Sequence, residues 1–124
     1  MSPPAPPRLP DYLQHISHAI LRIQRYVVGL TPVVFAADEK TQDAVLRNIE
    51  VIGEASRNVQ RHHPDFAAAH GDVPWTLMVG IRNRVSHAYF AGDWDLIWAT
   101  IHQDLPGLQE RIAALSGELR APDS

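Results

Sequence analysis

The sequence predicts an all-α fold, an antiparallel bundle of four to five helices in one domain. Apolar residues recur at spacings of three and four along most of the chain, which is the period of a helix that buries one face. No segment has the alternating pattern of a β-strand, and there is no internal repeat. A chain of 124 residues can bury about two thirds of its unfolded surface in a single core, so one bundle accounts for its length.

The first two helices are marked by residues that favour helix ends. Helix one is predicted to begin at Pro10 and to stop at Gly29, because proline suits a first turn and glycine suits the residue after the last turn. Thr31 and Pro32 supply an N-cap and a first-turn proline for a short helix that runs through Ala36. The apolar stripe of helix one consists of Tyr12, Ile16, Ala19, Ile20, Ile23 and Val27.

A second long helix is predicted from about Thr41 to Arg61, with charged residues opposite one apolar stripe. His62-His63-Pro64 ends it, since imidazoles suit the carboxyl end of a helix and proline disfavours its continuation. The segment from there to Val73 is predicted to be a polar, flexible loop. The stripe of this helix consists of Val45, Ile49, Ile52, Ala55 and Val59.

The rest of the chain predicts a helix that restarts at Pro74-Trp75 and a long final helix. The final apolar stripe keeps its phase across Pro106, which indicates one long, kinked helix or two coaxial ones. Trp75, Trp94 and Trp98 fit the core of the bundle better than the stacking of bases. The apolar side of the restarted helix is Met78, Ile81 and Val85, and the final stripe is Trp94, Ile97, Ile101, Leu105, Leu108, Ile112, Leu115 and Leu119.

Composition suggests the domain limits and excludes several kinds of site. Prolines crowd residues 1–8, which predicts a disordered or polyproline-like tail; residues 9–119 form the helical domain, and residues 120–124 form a second tail. The absence of cysteine excludes disulfides and thiolate metal sites. No apolar run approaches the ~18 residues of a membrane span, so we expect a cytoplasmic protein without membrane contact. With a net charge of −3, any contact with RNA must be local.

One octapeptide, Arg-Asn-Arg-Val-Ser-His-Ala-Tyr, has polar side chains suited to chemistry. Arg82 is permanently charged and offers a planar fork of donors to two phosphate oxygens, and His87 can accept and donate a proton near neutral pH. Together they suffice for phosphodiester cleavage without a metal. Asn83 and Arg84 lie between them, and Tyr89 follows. From spacing alone, an Arg on a helix rim also fits a solvated charge, and this tyrosine also fits a buried aromatic residue.

A straight helix separates the two catalytic candidates. At about 100° per residue, Arg82 and Tyr89 lie nearly on one line, whereas His87 lies about 140° away from Arg82. The two can meet only if the helix loosens near Ser86-His87, or if a second protomer brings its own pair to the same cleft.

The order of the octapeptide resembles the Arg-x4-His-x-Tyr motif of the HepT-like branch of the HEPN superfamily, whose members are small all-helical toxin ribonucleases. Three further segments are similar to that family and occur in the right order, and the likeness covers roughly residues 9–119. The resemblance therefore implies a HEPN-type bundle. The segments are residues 38–55, Val73-Pro74-Trp75 leading into residues 80–83, and Asp104-Leu105-Pro106.

The resemblance implies a homodimer in which both motifs line one cleft, with Arg82, Arg84 and His87 contributed by each protomer. The RNA 2′-hydroxyl would act as nucleophile, His87 would move protons, and Arg82 would stabilise the charge on phosphorus, with no metal or cofactor. Asn83 would orient Arg82 or His87, and Arg84 would hold a neighbouring phosphate. In this family the tyrosine that matches Tyr89 receives AMP from a partner nucleotidyltransferase antitoxin of the MntA type, which neutralises the toxin.

Other interpretations stay open from the sequence. His15 and His18 have metal-compatible spacing, but no third ligand accompanies them, so we expect no metal site there. Glu50 and Glu54 fit surface or interface charges, one of which could pair with Arg82. The whole protein also fits a non-catalytic helical dimer that supports a nucleotidyltransferase, or a purely structural interaction module. The latter two functions leave the combination of Arg82 and a titratable histidine unexplained.

Overall fold

The chain forms an antiparallel bundle of helices, which confirms the predicted all-α class. A computed structural model describes residues 8–120, and no β-strand occurs within that range. The predictions for the two tails lie outside it, except at Arg8, the N-cap of the first helix, and at Arg120, the last residue of the last helix. In chain order the α-helices are α1 (Leu9–Val27), α2 (Pro32–Ala36), α3 (Glu39–His62), α4 (Pro64–Ala69), α5 (Trp75–Ala91), α6 (Trp94–Ala99) and α7 (Leu105–Arg120).

The first two helices follow the predicted end signals. Pro10 lies in the first turn of α1, and Gly29 follows the helix with a φ of 76°, a conformation that glycine adopts without steric cost. The Thr31 hydroxyl accepts a hydrogen bond from the Val34 N–H at 3.2 Å and so caps α2. Phe35 of α2 is fully buried, which anchors this short helix to the core.

Helix α3 lies at the centre of the bundle, because it packs against α1 on one side and α5 on the other. Its predicted stripe is buried from Val45 to Val59. The Asp38 carboxylate accepts hydrogen bonds from the hydroxyl and the backbone N–H of Thr41 at 2.7 and 3.1 Å, and these bonds hold the pKa of Asp38 below its usual value. This cap starts α3 at Glu39, slightly earlier than predicted.

The prediction of a flexible loop after α3 is wrong for its first half, which forms α4. Pro64 lies in the first turn, and three consecutive alanines favour the helix. Phe66 packs its ring against the rings of His70 and Trp75, with centroid distances of 4.4 and 6.2 Å. Phe66, together with the hydrogen bond from Trp75 Nε1 to the His70 carbonyl at 3.2 Å, therefore holds this segment against the start of α5.

A π-helical segment, Thr100–Asp104, joins α6 to α7, so the chain is helical from Trp94 to Arg120. The Leu105 N–H donates to the Thr100 carbonyl, the longer bond that defines a π-turn. The following residue, Pro106, has no N–H to donate and lies in the first turn of α7 without breaking the helix. Of the two predicted forms, the chain adopts one continuous helix with a local change of hydrogen bonding.

The buried stripe of the last helix ends earlier than predicted. Leu115 is buried, but Leu119 is 42 % exposed, so the prediction is wrong at its final position. Helix α7 runs antiparallel to α1, and Gln109 Nε2 donates to Ser17 Oγ at 3.1 Å. Moving from this pair toward the end of α7 corresponds to moving toward the start of α1. Leu119 therefore lies beyond the level of Leu9, the first residue of α1, and α1 covers it little.

Most polar side chains buried in the bundle donate to nearby carbonyl groups, whereas the buried Gln109 Oε1 accepts no hydrogen bond from residues 8–120. Each of four buried polar residues donates to a main-chain carbonyl, as a low-dielectric interior requires. The four donors are Gln42 to Phe35, Asn48 to Ala44, Ser56 to Ile52, and Thr100 to Leu96.

Within residues 8–120, no helix is both long enough and apolar enough to cross a membrane.

Candidate functional site

Helix α5 carries the whole octapeptide and is regular along its length. It buries Met78, Ile81 and Val85 as predicted, and ends at Gly92, whose φ of 73° closes the helix in the left-handed conformation. The α-helical hydrogen bonding continues through Ser86 and His87, so the suggestion that the helix loosens there is wrong. The motif residues therefore project from a straight helix in the directions that their spacing dictates.

The side chain of Arg82 lies across α3 at Gly53. A β-carbon built on Gly53 would come within 2.6 Å of both Cβ and Cδ of Arg82 and within 3.0 Å of its Cγ, so only glycine leaves room for this stem. The Arg82 Nη1 atom then lies 3.9 Å from Oε2 of Glu54. The predicted pairing of Arg82 with a glutamate of the second long helix is thus found inside one chain.

An open depression of about 410 Å³ lies beside Arg82, on the outer face of α3 between α1 and α5. We call it the α3 groove. The α3 residues that line this groove are spaced three or four positions apart, so their side chains lie one above another along the bottom of the groove. Among the residues that line it are His15, Arg47, Glu50, Glu54, Asn58 and Arg82.

Arg84 points to the other side of α5, away from the α3 groove. Its Nη2 atom lies 3.2 Å from Oδ2 of Asp104 and 3.5 Å from the hydroxyl of Thr100, both in the π-helical segment. The pair is exposed to solvent, with Arg84 and Asp104 each showing about 40 % of their side chains, so it contributes little to stability. Within one chain, Arg84 and Arg82 do not converge on one phosphate.

His87 and Asn83 are both exposed on α5. Neither side chain makes a hydrogen bond or an ion pair with any residue in the range 8–120. The predicted role of Asn83 in orienting Arg82 or His87 therefore has no contact to support it inside one protomer. A single chain does not bring Arg82 and His87 together.

Tyr89 is tied to the amino-terminal part of α3. Its hydroxyl donates a short hydrogen bond to the Asp43 carboxylate, and its ring packs edge-on against Trp94 at 5.4 Å. The hydrogen bond from Tyr89 to Asp43, then burial, then the negative charges of Asp43 and Glu39 raise the pKa of the tyrosine. Phe90 beside it is 84 % exposed. Tyr89 is thus half-buried, and it lines an open depression together with Asp43, Phe90 and Trp94.

The histidines considered for metal binding are arranged differently from a metal site. In the part of the chain that the structure describes, no three side chains of the types His, Asp or Glu are grouped to hold an ion. His15 instead lines the α3 groove, whereas His18 does not. His62 and His63 end α3 as predicted; the His62 ring stacks on Tyr12 with ring centroids 6.4 Å apart, and the His63 ring packs edge-on against it at 6.1 Å.

Sequence reasoning missed the contribution of α3. Asp43, Arg47 and Gly53 were not singled out, although a glycine in the middle of a long helix is unfavourable by about 1 kcal/mol relative to alanine and so signals a packing requirement. Positions 43, 47, 50, 54 and 58 also repeat at three and four, which marks a polar stripe. The missing information was which helix faces that stripe.

Comparison with known proteins agrees with the fold and the motif. A family model described as "Ribonuclease HepT-like" matches residues 16–115, which includes α3, α5 and the complete octapeptide. The chain belongs to the HepT-like ribonuclease family. No solved structure matches it.

Several curated relatives of this HepT-like chain carry ribonuclease names. "Probable ribonuclease HepT" from Thermococcus cleftensis is 38% identical over 85% of this chain and 93% of its own length. A protein of Caldanaerobacter subterraneus subsp. tengcongensis, provisionally named as an RNase, is 32% identical over 82% of this chain and 88% of its own. A Methanocaldococcus jannaschii protein named for both gamma-glutamylcyclotransferase and a provisional RNase is 34% identical over 87% of this chain and 47% of its own.

Proposed function

We propose that this HepT-like chain is a metal-independent endoribonuclease that uses Arg82 and His87. The observation that carries the proposal is the fixed position of Arg82, whose stem occupies the space that Gly53 leaves free. A permanently charged group held in place beside an open groove is suited to stabilise a developing phosphate charge. Membership of a ribonuclease family and the names of the relatives support RNA as the substrate class.

In the proposed reaction the 2′-oxygen of the RNA attacks the adjacent phosphorus while the bond to the 5′-oxygen breaks. His87 exchanges protons with these oxygens, and Arg82 binds the nonbridging oxygens on which charge accumulates. The products are a 2′,3′-cyclic phosphate and a free 5′-hydroxyl. General acid-base catalysis by one histidine contributes about 10²–10⁴-fold, and a pre-placed cation adds several kcal/mol.

The geometry of α5 supports a site made by two protomers. Because this helix is regular, His87 projects about 140° away from Arg82, and its side chain makes no hydrogen bond or ion pair with residues 8–120 of its own protomer. A two-fold axis beside α5 would bring one protomer's His87 to its partner's Arg82, since a symmetric contact repeats each pairing twice. The proposed active unit is therefore a homodimer with a shared cleft.

The test is cleavage of a single-stranded RNA in the presence of a chelator. We expect products ending in a cyclic phosphate, because the motif supplies a proton-transfer group and a cation. Arg82→Ala and His87→Ala should each abolish cleavage while the helical circular dichroism signal and the melting temperature stay unchanged. Arg84→Ala is the matched control within the motif, since its charge is already paired with Asp104; it should lower activity less than Arg82→Ala does.

Restoration of cleavage only by a divalent ion would contradict the metal-independent mechanism. If the protein binds a nucleotidyltransferase but never cleaves RNA, it is instead the non-catalytic helical dimer.

We further propose that the protein is the toxin of a toxin-antitoxin pair, and that a nucleotidyltransferase antitoxin silences it by attaching AMP to Tyr89. Tyr89 lines an open depression next to the exposed Phe90, and its hydroxyl is bonded to the Asp43 carboxylate, so a partner that enters the depression would have to replace that bond. Tyr89 is about two helical turns, or ~10 Å, from Arg82 along α5. AMP attached there would bring a negative charge and bulk onto the α3 side of α5 and hinder RNA.

Co-expression with a nucleotidyltransferase of the MntA type tests this regulation. Intact-mass and peptide analysis should show one AMP on the peptide that contains Tyr89. Tyr89→Phe should keep the fold and escape neutralisation, whereas Tyr26→Phe, a half-exposed tyrosine on α1, should be neutralised normally. Full neutralisation of Tyr89→Phe would mean that the antitoxin acts by forming a complex alone.

A further inference from the structure

We infer that the α3 groove binds one nucleotide of the RNA, with Arg47 of α3 and Arg82 of α5 holding a phosphate between them. The inference rests on the proposed ribonuclease function and adds a binding residue that lies outside the octapeptide. Two guanidinium groups from different helices line the same depression of about 410 Å³. That volume is at the lower end of small-molecule sites, which suits one nucleotide.

Arg47 is available to a ligand. Its side chain is exposed and makes no ion pair or side-chain hydrogen bond with any described residue from 8 to 120. Two acidic residues, Asp43 and Glu50, lie one turn away from Arg47 on either side along α3. The Asp43 carboxylate already accepts a hydrogen bond from the Tyr89 hydroxyl. An unpaired guanidinium at this position is free to donate hydrogen bonds to a phosphate.

Arg82 is held in a contact that a phosphate can replace. The Arg82 and Glu54 side chains are 34 % and 57 % exposed and their charged atoms lie 3.9 Å apart, which is a weak pair in water. A phosphate offers a bidentate partner with shorter, charge-assisted hydrogen bonds. Because Gly53 fixes the stem, only the end of the side chain needs to move.

The other lining residues favour a whole nucleotide over a free phosphate ion. The Glu50 and Glu54 carboxylates would repel a small anion, but Glu50 can also accept hydrogen bonds from base amino groups. His15 and Asn58 add groups that donate or accept. A mixed set of this kind matches a ligand with both a phosphate and neutral polar edges.

The experiment measures binding of a fluorescently labelled, 2′-O-methyl single-stranded RNA, which has no nucleophile and stays intact. Arg47→Gln should weaken binding roughly tenfold, as expected for one charge-assisted contact. The slope of log affinity against log salt should become shallower by about 0.7, the value for one phosphate contact on a single strand. Arg57→Gln is the matched control, because Arg57 is an exposed arginine of the same helix outside the groove.

Glu54→Gln gives a test of opposite sign. Removing this carboxylate releases Arg82 and lowers repulsion in the groove, so RNA should bind a few-fold more tightly. All variants are compared by sedimentation to confirm that they share one assembly state.

The outcomes separate this inference from the proposed function. Equal binding by Arg47→Gln and Arg57→Gln, in a protein whose cleavage still requires Arg82, would overturn the nucleotide site and leave the ribonuclease intact. An altered assembly state in Arg47→Gln would overturn it too, because the groove would then be a contact between subunits. Failure of the unmodified protein to bind or cleave RNA would instead remove the proposed function, and the nucleotide site with it.

Discussion

At Gly53 the backbones of α3 and α5 approach so closely that the stem of Arg82 lies in the space a β-carbon would take. Elsewhere in a helix glycine only raises the entropy of the unfolded chain. Here it determines where a guanidinium is held, and the next residue, Glu54, pairs weakly with that guanidinium. The direction of Arg82 therefore depends on α3 as much as on the octapeptide.

We predict that Gly53→Ala lowers both stability and cleavage. The gain in helix propensity of about 1 kcal/mol is outweighed, because the new methyl group would lie 2.6 Å from Cβ and Cδ of Arg82 and force α3 and α5 apart. We expect a net loss of about 1–2 kcal/mol in urea unfolding and a fall in kcat for RNA.

Gly80→Ala on α5 is the control, since a β-carbon there meets nothing within 4 Å. It should stabilise the protein by about 0.5–1 kcal/mol. A Gly53→Ala protein as stable and as active as the Gly80→Ala protein would show that the close approach is not needed.

At the scale of elements, the last helix combines a strong core contact with a weak end. Leu105 is fully buried where the π-helical segment meets α7, whereas Leu119 is 42 % exposed although both fall on the same sequence stripe. The π-turn lets Pro106 follow directly after Leu105 without turning the helix away from the core. The position of each leucine along the helix, and not its residue type, therefore decides how much it contributes to the stability of the fold.

Leu105→Ala should destabilise the protein by about 2–5 kcal/mol, the cost of a buried cavity, with the loss measured by urea or thermal unfolding. Leu119→Ala, the same change on the same helix, should cost less than about 1 kcal/mol. Similar losses for the two variants would mean that Leu119 is covered in solution, for example by a second protomer.

At the scale of the whole molecule, one protomer holds the parts of the proposed site but does not assemble them. Arg82 faces α3, Arg84 faces the π-helical segment, and His87 faces solvent. An acidic protein with a net charge of −3 also has little general attraction for RNA. Bringing two copies of α5 together would place the Arg82 of one protomer near the His87 of its partner, and activity would then depend on assembly.

We predict a homodimer whose activity is lost on dilution. Sedimentation should give twice the mass of 13.8 kDa, and specific cleavage activity should fall as the protein is diluted below its dimer dissociation constant. Mixing inactive Arg82→Ala with inactive His87→Ala should restore part of the activity, because a mixed dimer keeps one complete pair. A monomer with full specific activity at every concentration would rule out the shared cleft.

The sequence by itself determined the class of fold and most helix ends. Apolar spacing of three and four is enforced by burial of one helix face, and Thr31, Gly29 and Pro32 act through local backbone geometry that does not depend on distant residues. It also determined the separation of Arg82 and His87 on a straight helix, because angular spacing is a local property; their catalytic role stays a prediction. The family could be recognised for the same reason, since its motif is contiguous.

Only the tertiary structure decided which residues face one another. The fit of Arg82 over Gly53, the bond from Tyr89 to Asp43 and the cluster around Arg47 all join α5 or α1 to α3, and the register between two helices is not written in the period of either one. The loop predicted after α3 is a helix at Pro64–Ala69, because the packing of Phe66 against His70 and Trp75 adds to the local signal of its proline and alanines. Leu119 continues a stripe that has no cover from α1, because burial depends on the length of the neighbouring helix and not on the pattern itself.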